Sequence, residues 1–288
     1  MNFVRSNVDQ GSRLICEGDL VILYERHDAL SHAWMQKDGR IQNRYGSFNH
    51  NDIIGKPFGF KAKAFDTEGC WLYVLEPTPE LWSSAFKTRT QIVNEMDQSL
   101  VTFMLDVKPG DTVVESGTGS ACMTLSLARA VGHPDPAHAG HVYTFEYNSF
   151  RAEEAKKEMK AMGVDHLVTI RCHDVCAVTK QPQPLQAALP APSTQQEPSQ
   201  GGEGEIKAKQ EQVSGAEVPF PPGGFPGVAA GSADALFLDV PSPYLALDYA
   251  LAVLKPYANI CCYSPCISQV TDTCAKLREL GFTNIRML

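Results

Sequence analysis

The sequence predicts an α/β protein: a doubly wound parallel sheet preceded by a small all-β module. Three observations predict it. From Asp111 to Asp174 strand-like apolar runs alternate with helical periods, beginning at a glycine turn, and the alternation resumes at Ala235. Ahead of it, residues 15–75 carry only short β-type runs broken by turn signals. Between the two halves of the alternation, Pro182–Pro226 holds 9 of the 19 prolines with repeated Gln, Gly and Ser. That composition cannot bury enough surface to offset its ordering entropy, so it reads as a disordered loop inserted between two strands.

Each element has its own signal. Asp19–Tyr24, Ala33–Gln36, Lys61–Phe65 and Trp71–Leu75 are the strands of the β module, with turns at Asp38-Gly39 and Glu68-Gly69. After Pro77-Thr78-Pro79 a helical stretch follows in which Ile92, Met96, Leu100, Phe103 and Met104 recur at three- and four-residue steps, and Pro109-Gly110 stops it. Thr112–Glu115, Val142–Glu146 and Leu167–Arg171 are strands, linked by helices at Ala121–Val131 and Arg151–Met162. Beyond the insertion come a strand at Ala235–Asp239, a helix at Ala246–Leu254, a strand at Ile260–Tyr263 and a helix at Ser268–Leu280. A sixth strand is expected around Leu288. The organisation is thus 1–76, a β module; 77–110, a linking segment; and 111–288, the α/β domain interrupted at 177–231.

Composition bounds the function. With 288 residues the chain is one large domain or one domain plus a smaller one. Lys+Arg 25 against Asp+Glu 33 leaves a net charge of −8, which disfavours a free-standing electrostatic nucleic-acid binder. A polyanionic substrate then requires a local basic patch or a basic partner. Met1 to Leu14 has no apolar signal-like run, and no stretch has the length to span a bilayer, so a soluble intracellular protein is expected. The 9 cysteines are odd in number and form no paired C-x-x-C framework, which fits reduced thiols of cytosol or nucleus. Cys172/Cys176 and Cys262/Cys266 have a spacing that zinc tolerates, but no second pair completes a finger; buried thiols in apolar segments are the reading preferred.

The sharpest local signal is Val113-Val114-Glu115-Ser116-Gly117-Thr118-Gly119-Ser120-Ala121, a strand entering a glycine turn that opens a helix. Glycine serves there because a Cβ blocks a ligand from the backbone. A dinucleotide fingerprint needs a third glycine where Cys122 stands, and Glu115 repels a pyrophosphate. Both favour a cationic, phosphate-free cofactor, S-adenosylmethionine. Glu146 ends the next strand beside the turn, where a carboxylate accepts both ribose hydroxyls of an adenosine. Asp174 ends the third strand and either accepts from an adenine amino group or caps a helix. Arg151 either pairs with a carboxylate or begins a solvated helix face.

The most informative segment is Leu236-Phe237-Leu238-Asp239-Val240-Pro241-Ser242-Pro243-Tyr244. An apolar strand ends in an acid, and two prolines hold the following loop extended. Ligands of open α/β sheets lie beyond the carboxyl ends of the strands, so Asp239 is placed to face the transferable methyl group. An adenine ring nitrogen is a weak nucleophile, and its alkylation creates a cation delocalised towards the amino group. A carboxylate accepting from that amino group stabilises the charge as it develops.

These residues resemble a known family. Glu115-Ser116-Gly117-Thr118-Gly119-Ser120, Phe145-Glu146, Asp174-Val175-Cys176 and Phe237-Leu238-Asp239-Val240-Pro241-Ser242-Pro243 are similar to the catalytic subunit of eukaryotic tRNA (adenine-N1)-methyltransferase, a class I enzyme acting on adenosine 58 of the T-loop. Asp52–Gly59, Pro77–Trp82 and Arg89-Thr90-Gln91-Ile92 resemble its front part. The resemblance implies a Rossmann-like methyltransferase domain behind a β domain, S-adenosylmethionine without metal, and tRNA rather than DNA as substrate. It implies a related non-catalytic partner in a heterotetramer, and the nucleus. Carried over by motif, Gln91, Ser116, Gly117, Thr118, Gly119, Ser120 and Ala121 line the cofactor and Glu146 holds its ribose. Arg151, Asp174, Val175 and Asp239 complete the pocket, and Asp239 is catalytic. Ala121 stands where the family's third glycine is usual, and family members continue past the position of Leu288 into a final strand pair. Two other readings remain open on the sequence: methylation of an exocyclic amine of a nucleic-acid base, and an inactive subunit, truncated at its C-terminus, that binds S-adenosylmethionine or a partner.

Overall fold

The computed structural model of the chain describes residues 13–26, 29–86, 89–177 and 223–288. The front part contains β1 (Leu20–Arg26), β2 (Ala29–Trp34), β3 (Arg40–Asn43), β4 (Gly46–Asn49), one turn of helix α1 (His50–Ile53), β5 (Phe60–Lys63) and β6 (Trp71–Leu75). Four strands form an antiparallel sheet in the order β2-β1-β6-β5, and β3 and β4 pair as a hairpin. Period-two alternation sends Val21, Leu23, Ala62, Leu72 and Val74 into one small core with Phe48 and Met35. The sequence reading lacks the hairpin because its strands are mostly polar; Phe48, 1% exposed, anchors it. The second strand runs over Ala29–Trp34 rather than Ala33–Gln36.

The single helical stretch expected after Pro79 is two helices, α2 (Pro79–Ala85) and α3 (Glu95–Met104), each with its own start signal. Thr78 accepts from Leu81 N at 3.3 Å, with proline in the first turn, and Asn94 accepts from Met96 N and Asp97 N. α2 joins the two parts through Trp82, which is 1% exposed and stacks on Phe86 at 4.2 Å. The apolar face expected for α3 is turned to solvent: Met96 is 80%, Leu100 44% and Phe103 78% exposed. The helix instead buries Gln98 and Val101, because the Gln98 amide is satisfied by Val93 O, Ser83 and Ser126 and so anchors that side inward.

The larger part contains β7 (Thr112–Ser116), α4 (Cys122–Val131), β8 (His141–Glu146), α5 (Ser149–Ala161), β9 (Val168–Cys172), β10 (Ala233–Leu238), α6 (Leu247–Val253), β11 (Leu254–Cys262) and α7 (Ile267–Glu279). The five strands are parallel throughout, in the order β11-β10-β7-β8-β9, so the chain reverses its winding between β7 and β10. Alternate residues feed two layers. Val113, Val142, Ala235 and Phe237 pack with α4 and α5, while Val114, Phe145, Leu236 and Leu238 pack with α6 and Leu277 of α7. Among the described residues no helix is long and apolar enough to cross a membrane.

Three further expectations are corrected. Residues 281–288 form no sixth strand; their backbone pairs with none of the described strands. Most of the insertion, residues 178–222, lies outside the described residues, but 223–231 are packed rather than loose. Phe225, 6% exposed, meets Phe145 edge-on at 5.4 Å. Of the nine cysteines only Cys122 is fully buried; Cys16, Cys172 and Cys266 are exposed, because they fall in loops and at a strand end rather than in the core.

Candidate active site

The reversal point between β7 and β10 gathers the predicted residues. Beyond β7 the chain turns through Gly117 (φ +99°) and Gly119 (φ +53°) into α4. A Cβ on Gly117 would fall 2.1 Å from the Asp239 carbonyl oxygen, so glycine is required by the close approach of the chain leaving β10. That approach is fixed by Asp239 N donating to Ser116 O at 2.9 Å and by Gly117 N donating to Phe145 O at 2.9 Å. The side chains of Ser116, Thr118, Ser120 and Ala121 are buried, leaving the two glycines as the accessible surface of the turn. Ser120 faces away from it: its hydroxyl accepts from Arg89 N at 2.9 Å and Thr90 N at 3.2 Å. Thr118 and Thr144 share a hydroxyl bond of 2.7 Å.

Glu146 is 3% exposed and its carboxylate is engaged on both oxygens. One accepts from Gly119 N at 2.9 Å; the other accepts from Asn148 N at 3.0 Å and from Arg151 Nη2 at 2.5 Å. Arg151 therefore pairs with a carboxylate, the first of its two readings. Asp174 is exposed and accepts from Cys176 N at 3.0 Å, closing a tight turn beside buried Val175 rather than capping a helix. Gln91 is exposed on the linking segment, next to Thr90, whose hydroxyl lies 3.1 Å from that of Ser120.

Two acids are held under strain of a different kind. Glu115 is fully buried beneath the turn; Thr124 Oγ1 donates to one oxygen at 2.6 Å, the other has no well-formed hydrogen bond among the described residues, and the hydroxyls of Thr124 and Thr144 both favour the charged form. Burial pushes its carboxyl up to about 7, and the charges of Asp239 and Glu146 act in the same direction. Asp239, half-buried, is pushed up to about 6 by burial, and its carboxylate has no hydrogen-bond donor among the described residues. Three carboxylates thus converge on one glycine turn. The half-buried Asp239 carboxylate, without a donor among the described residues, suits a ligand that brings an N–H or positive charge to the turn.

Sequence reasoning missed what ties these pieces together. Arg89 forms an ion pair with Glu158 of α5 and donates to Gly119 O at 3.3 Å, strapping the linking segment over the turn. Gln269 Nε2 donates to Pro241 O at 2.8 Å and the Cys176 thiol to Ser242 O at 3.5 Å, pinning the loop after Asp239 from two sides. Nothing in a single sequence pairs residues that lie 66 positions apart. Two cavities of about 320 and 300 Å³ lie elsewhere, beside α3 and beside Trp82, and neither is lined by the tips of β7, β8 or β10.

Residues 70–188 and 214–288 match the family described as the tRNA methyltransferase complex GCD14 subunit. The chain belongs to that family. The tRNA (adenine(58)-N(1))-methyltransferase catalytic subunit of Dictyostelium discoideum is 32% identical over 277 residues, covering 96% of this chain and 73% of the relative. A SAM-dependent O-methyltransferase from Thermotoga maritima shares the fold with a TM-score of 0.69 at 27% identity, covering 95% of this chain and 82% of that one. The tRNA (m1A58) methyltransferase TrmI of Aquifex aeolicus aligns with a TM-score of 0.60 at 20% identity, over 93% of this chain and 83% of its own, a likeness of fold alone. One residue of the turn has a backbone conformation with a physical consequence. Ala121 holds φ +58°, a left-handed conformation that costs a non-glycine residue roughly 1 kcal/mol.

Proposed function

We propose that this chain transfers a methyl group from S-adenosylmethionine to N1 of adenosine 58 in the T-loop of tRNA, as the catalytic subunit of a two-subunit enzyme. The observation that carries the reading is the position of Asp239. It is a half-buried carboxylate without a donor among the described residues, at the tip of β10, and its backbone N donates to Ser116 O at the start of the glycine turn.

S-adenosylmethionine supplies an electrophilic methyl group on a sulfonium. This chain's residues bind, orient and stabilise. The bare backbone of Gly117 and Gly119 admits the cofactor, Glu146 accepts its ribose hydroxyls, and Asp174 and Val175 border its adenine. Gln91 and Arg151 flank the pocket. The Asp239 carboxylate accepts from the exocyclic amine of the target base and offsets the positive charge that N1 alkylation puts on the ring. A carboxyl pushed up to about 6 is mostly ionised at neutral pH and is still basic enough to take that proton when the product cation forms.

The chain divides, on this reading, into a β module at 1–76, a linking segment at 77–110 and the methyltransferase domain at 111–288. A related non-catalytic subunit completes a heterotetramer in the nucleus and shares the work of holding an acidic substrate against an acidic chain. Nucleoside mass spectrometry of a tRNA transcript incubated with the chain, its co-purified partner and S-adenosylmethionine tests the reaction. 1-Methyladenosine at position 58 is expected. N6-methyladenosine would redirect the proposal to the exocyclic amine, and no modified nucleoside would leave only a binding subunit.

A further inference from the structure

The outward face of the four-stranded sheet carries a second constellation that the strand-tip site does not use. Along β5 and β6, Ala62, Leu72 and Val74 point into the core, and Lys61, Lys63, Trp71 and Tyr73 point out. The register sets Lys61 opposite Tyr73 and Lys63 opposite Trp71, with Tyr24 of β1 opposite Tyr73 on its other side. Lys61 Nζ lies 3.9 Å from the centre of the Trp71 ring, and Trp71 meets Tyr73 edge-on at 5.1 Å. Past β5 the alternation continues: Ala64 packs inward, and Phe65, 51% exposed, lies under the Arg40 guanidinium at 4.9 Å.

Among the described residues some cations are paired with acids and others are not. Arg129, Arg151, Lys157, Lys255 and Lys276 each hold a carboxylate. Arg40, Lys61 and Lys63 have no carboxylate partner among the described residues, although the chain as a whole carries −8. In the turn between β5 and β6, Asp66 is engaged by Ser47 N at 2.7 Å and Glu68 is exposed. Exposed rings of β6 and Phe65 therefore lie beside cations of β5 and β3 that hold no carboxylate, Lys61 and Arg40 resting on ring faces, at the roughly 6.7 Å spacing of same-face residues along a strand. Rings stack on any base, and unpaired lysines neutralise phosphates; that pairing of chemistries suits single-stranded nucleic acid better than a purely apolar or purely acidic ligand.

We infer that the outer face of the β module is a stacking and phosphate-binding platform for unpaired nucleotides of RNA. That the RNA is the substrate tRNA rests on the function proposed above; the platform itself does not. It places a substrate contact on the acidic chain itself, in addition to any contact supplied by a partner.

Fluorescence anisotropy of the full chain with a labelled oligouridine and a labelled tRNA transcript tests the platform. Trp71→Ala and Tyr73→Ala are each expected to weaken binding about 5- to 150-fold, the range of one lost base stack. Trp71→Phe keeps an aromatic face and should retain most of the affinity. Lys61→Gln and Lys63→Gln should each reduce the slope of log affinity against log salt by about 0.7. Circular dichroism melts of each variant separate lost binding from lost folding. Folded variants with unchanged affinity and slope overturn the platform, as does an unaltered chain that binds neither RNA. Loss of a co-purified protein from the Trp71→Ala variant with RNA binding intact would make the face a protein interface instead. A chain that binds RNA here yet methylates no adenosine refutes the proposed reaction and leaves the platform standing. Unchanged RNA affinity in variants of an active chain does the reverse.

Discussion

Glu146 and Asp239 end neighbouring regions of one sheet, and their surroundings are opposites. Around Glu146 both carboxylate oxygens are engaged, by Gly119 N, Asn148 N and Arg151, and the group is 3% exposed. Around Asp239 the backbone is pinned by Ser116 O, yet the half-buried carboxylate has no donor among the described residues. A carboxylate held by three donors is fixed in position beside the glycine turn, and its Oε2, with one donor, keeps a lone pair for a ligand hydroxyl. A carboxylate desolvated and left without donors is raised in energy and can be relieved by a ligand's N–H. On the proposed function, the first region holds and the second reacts.

The largest effect should come from breaking the second region. Asp239→Ala is expected to lower turnover at least about 100-fold while calorimetry shows cofactor affinity nearly unchanged, since the variant removes a group aimed at the base. Unchanged turnover would remove the catalytic assignment. Breaking the first region should give the complementary pattern: Glu146→Ala weakens cofactor binding by about 10- to 100-fold and lowers the melting temperature, because Arg151 and Gly119 N lose their acceptor together. Retained affinity with only a lower melting temperature would confine Glu146 to a structural role.

The buried neighbour Glu115 sharpens the comparison through pH. Its carboxyl is pushed from an ordinary 4.5 to about 7 by burial, so between those values the unfolded chain has lost a proton that the folded chain keeps. Stability therefore falls as pH rises from about 4.5 to about 7 and levels off above. Asp239 contributes in the same direction up to about 6. Melting curves at the two ends of that window should show a smaller drop for Glu115→Gln than for the unaltered chain; an equal drop would mean that Glu115 is not the group responsible. The smallest effect is expected at the turn itself: Ala121→Gly relieves a left-handed alanine and should stabilise by about 0.5–1 kcal/mol, read as a modest rise in melting temperature.

Much of this was legible in the sequence because it rests on local rules. A glycine turn at the end of an apolar strand and acids at strand ends have fixed positions in a doubly wound sheet, and Glu115, Glu146, Asp174 and Asp239 all occur at such ends. What was not legible depends on packing across distance. Met96, Leu100 and Phe103 have the spacing of a core face, but the Gln98 amide, satisfied by three groups from other segments, decides which side of α3 goes in. The linking residues Arg89 and Thr90 look helical in sequence and are instead drawn onto Ser120. Residues 223–231 have the composition of a loop, yet one aromatic, Phe225, finds Phe145 and orders them.

The difference between the holding and the reacting carboxylate can be read in a single measurement: the single-turnover methylation rate of a T-loop transcript, at saturating cofactor and RNA, as a function of pH for the unaltered chain and for Asp239→Asn. The unaltered chain should lose rate as pH falls through about 6, and the variant should be slow and flat across that range. An equal rate, or the same acidic limb surviving in the variant, would contradict the account at its centre.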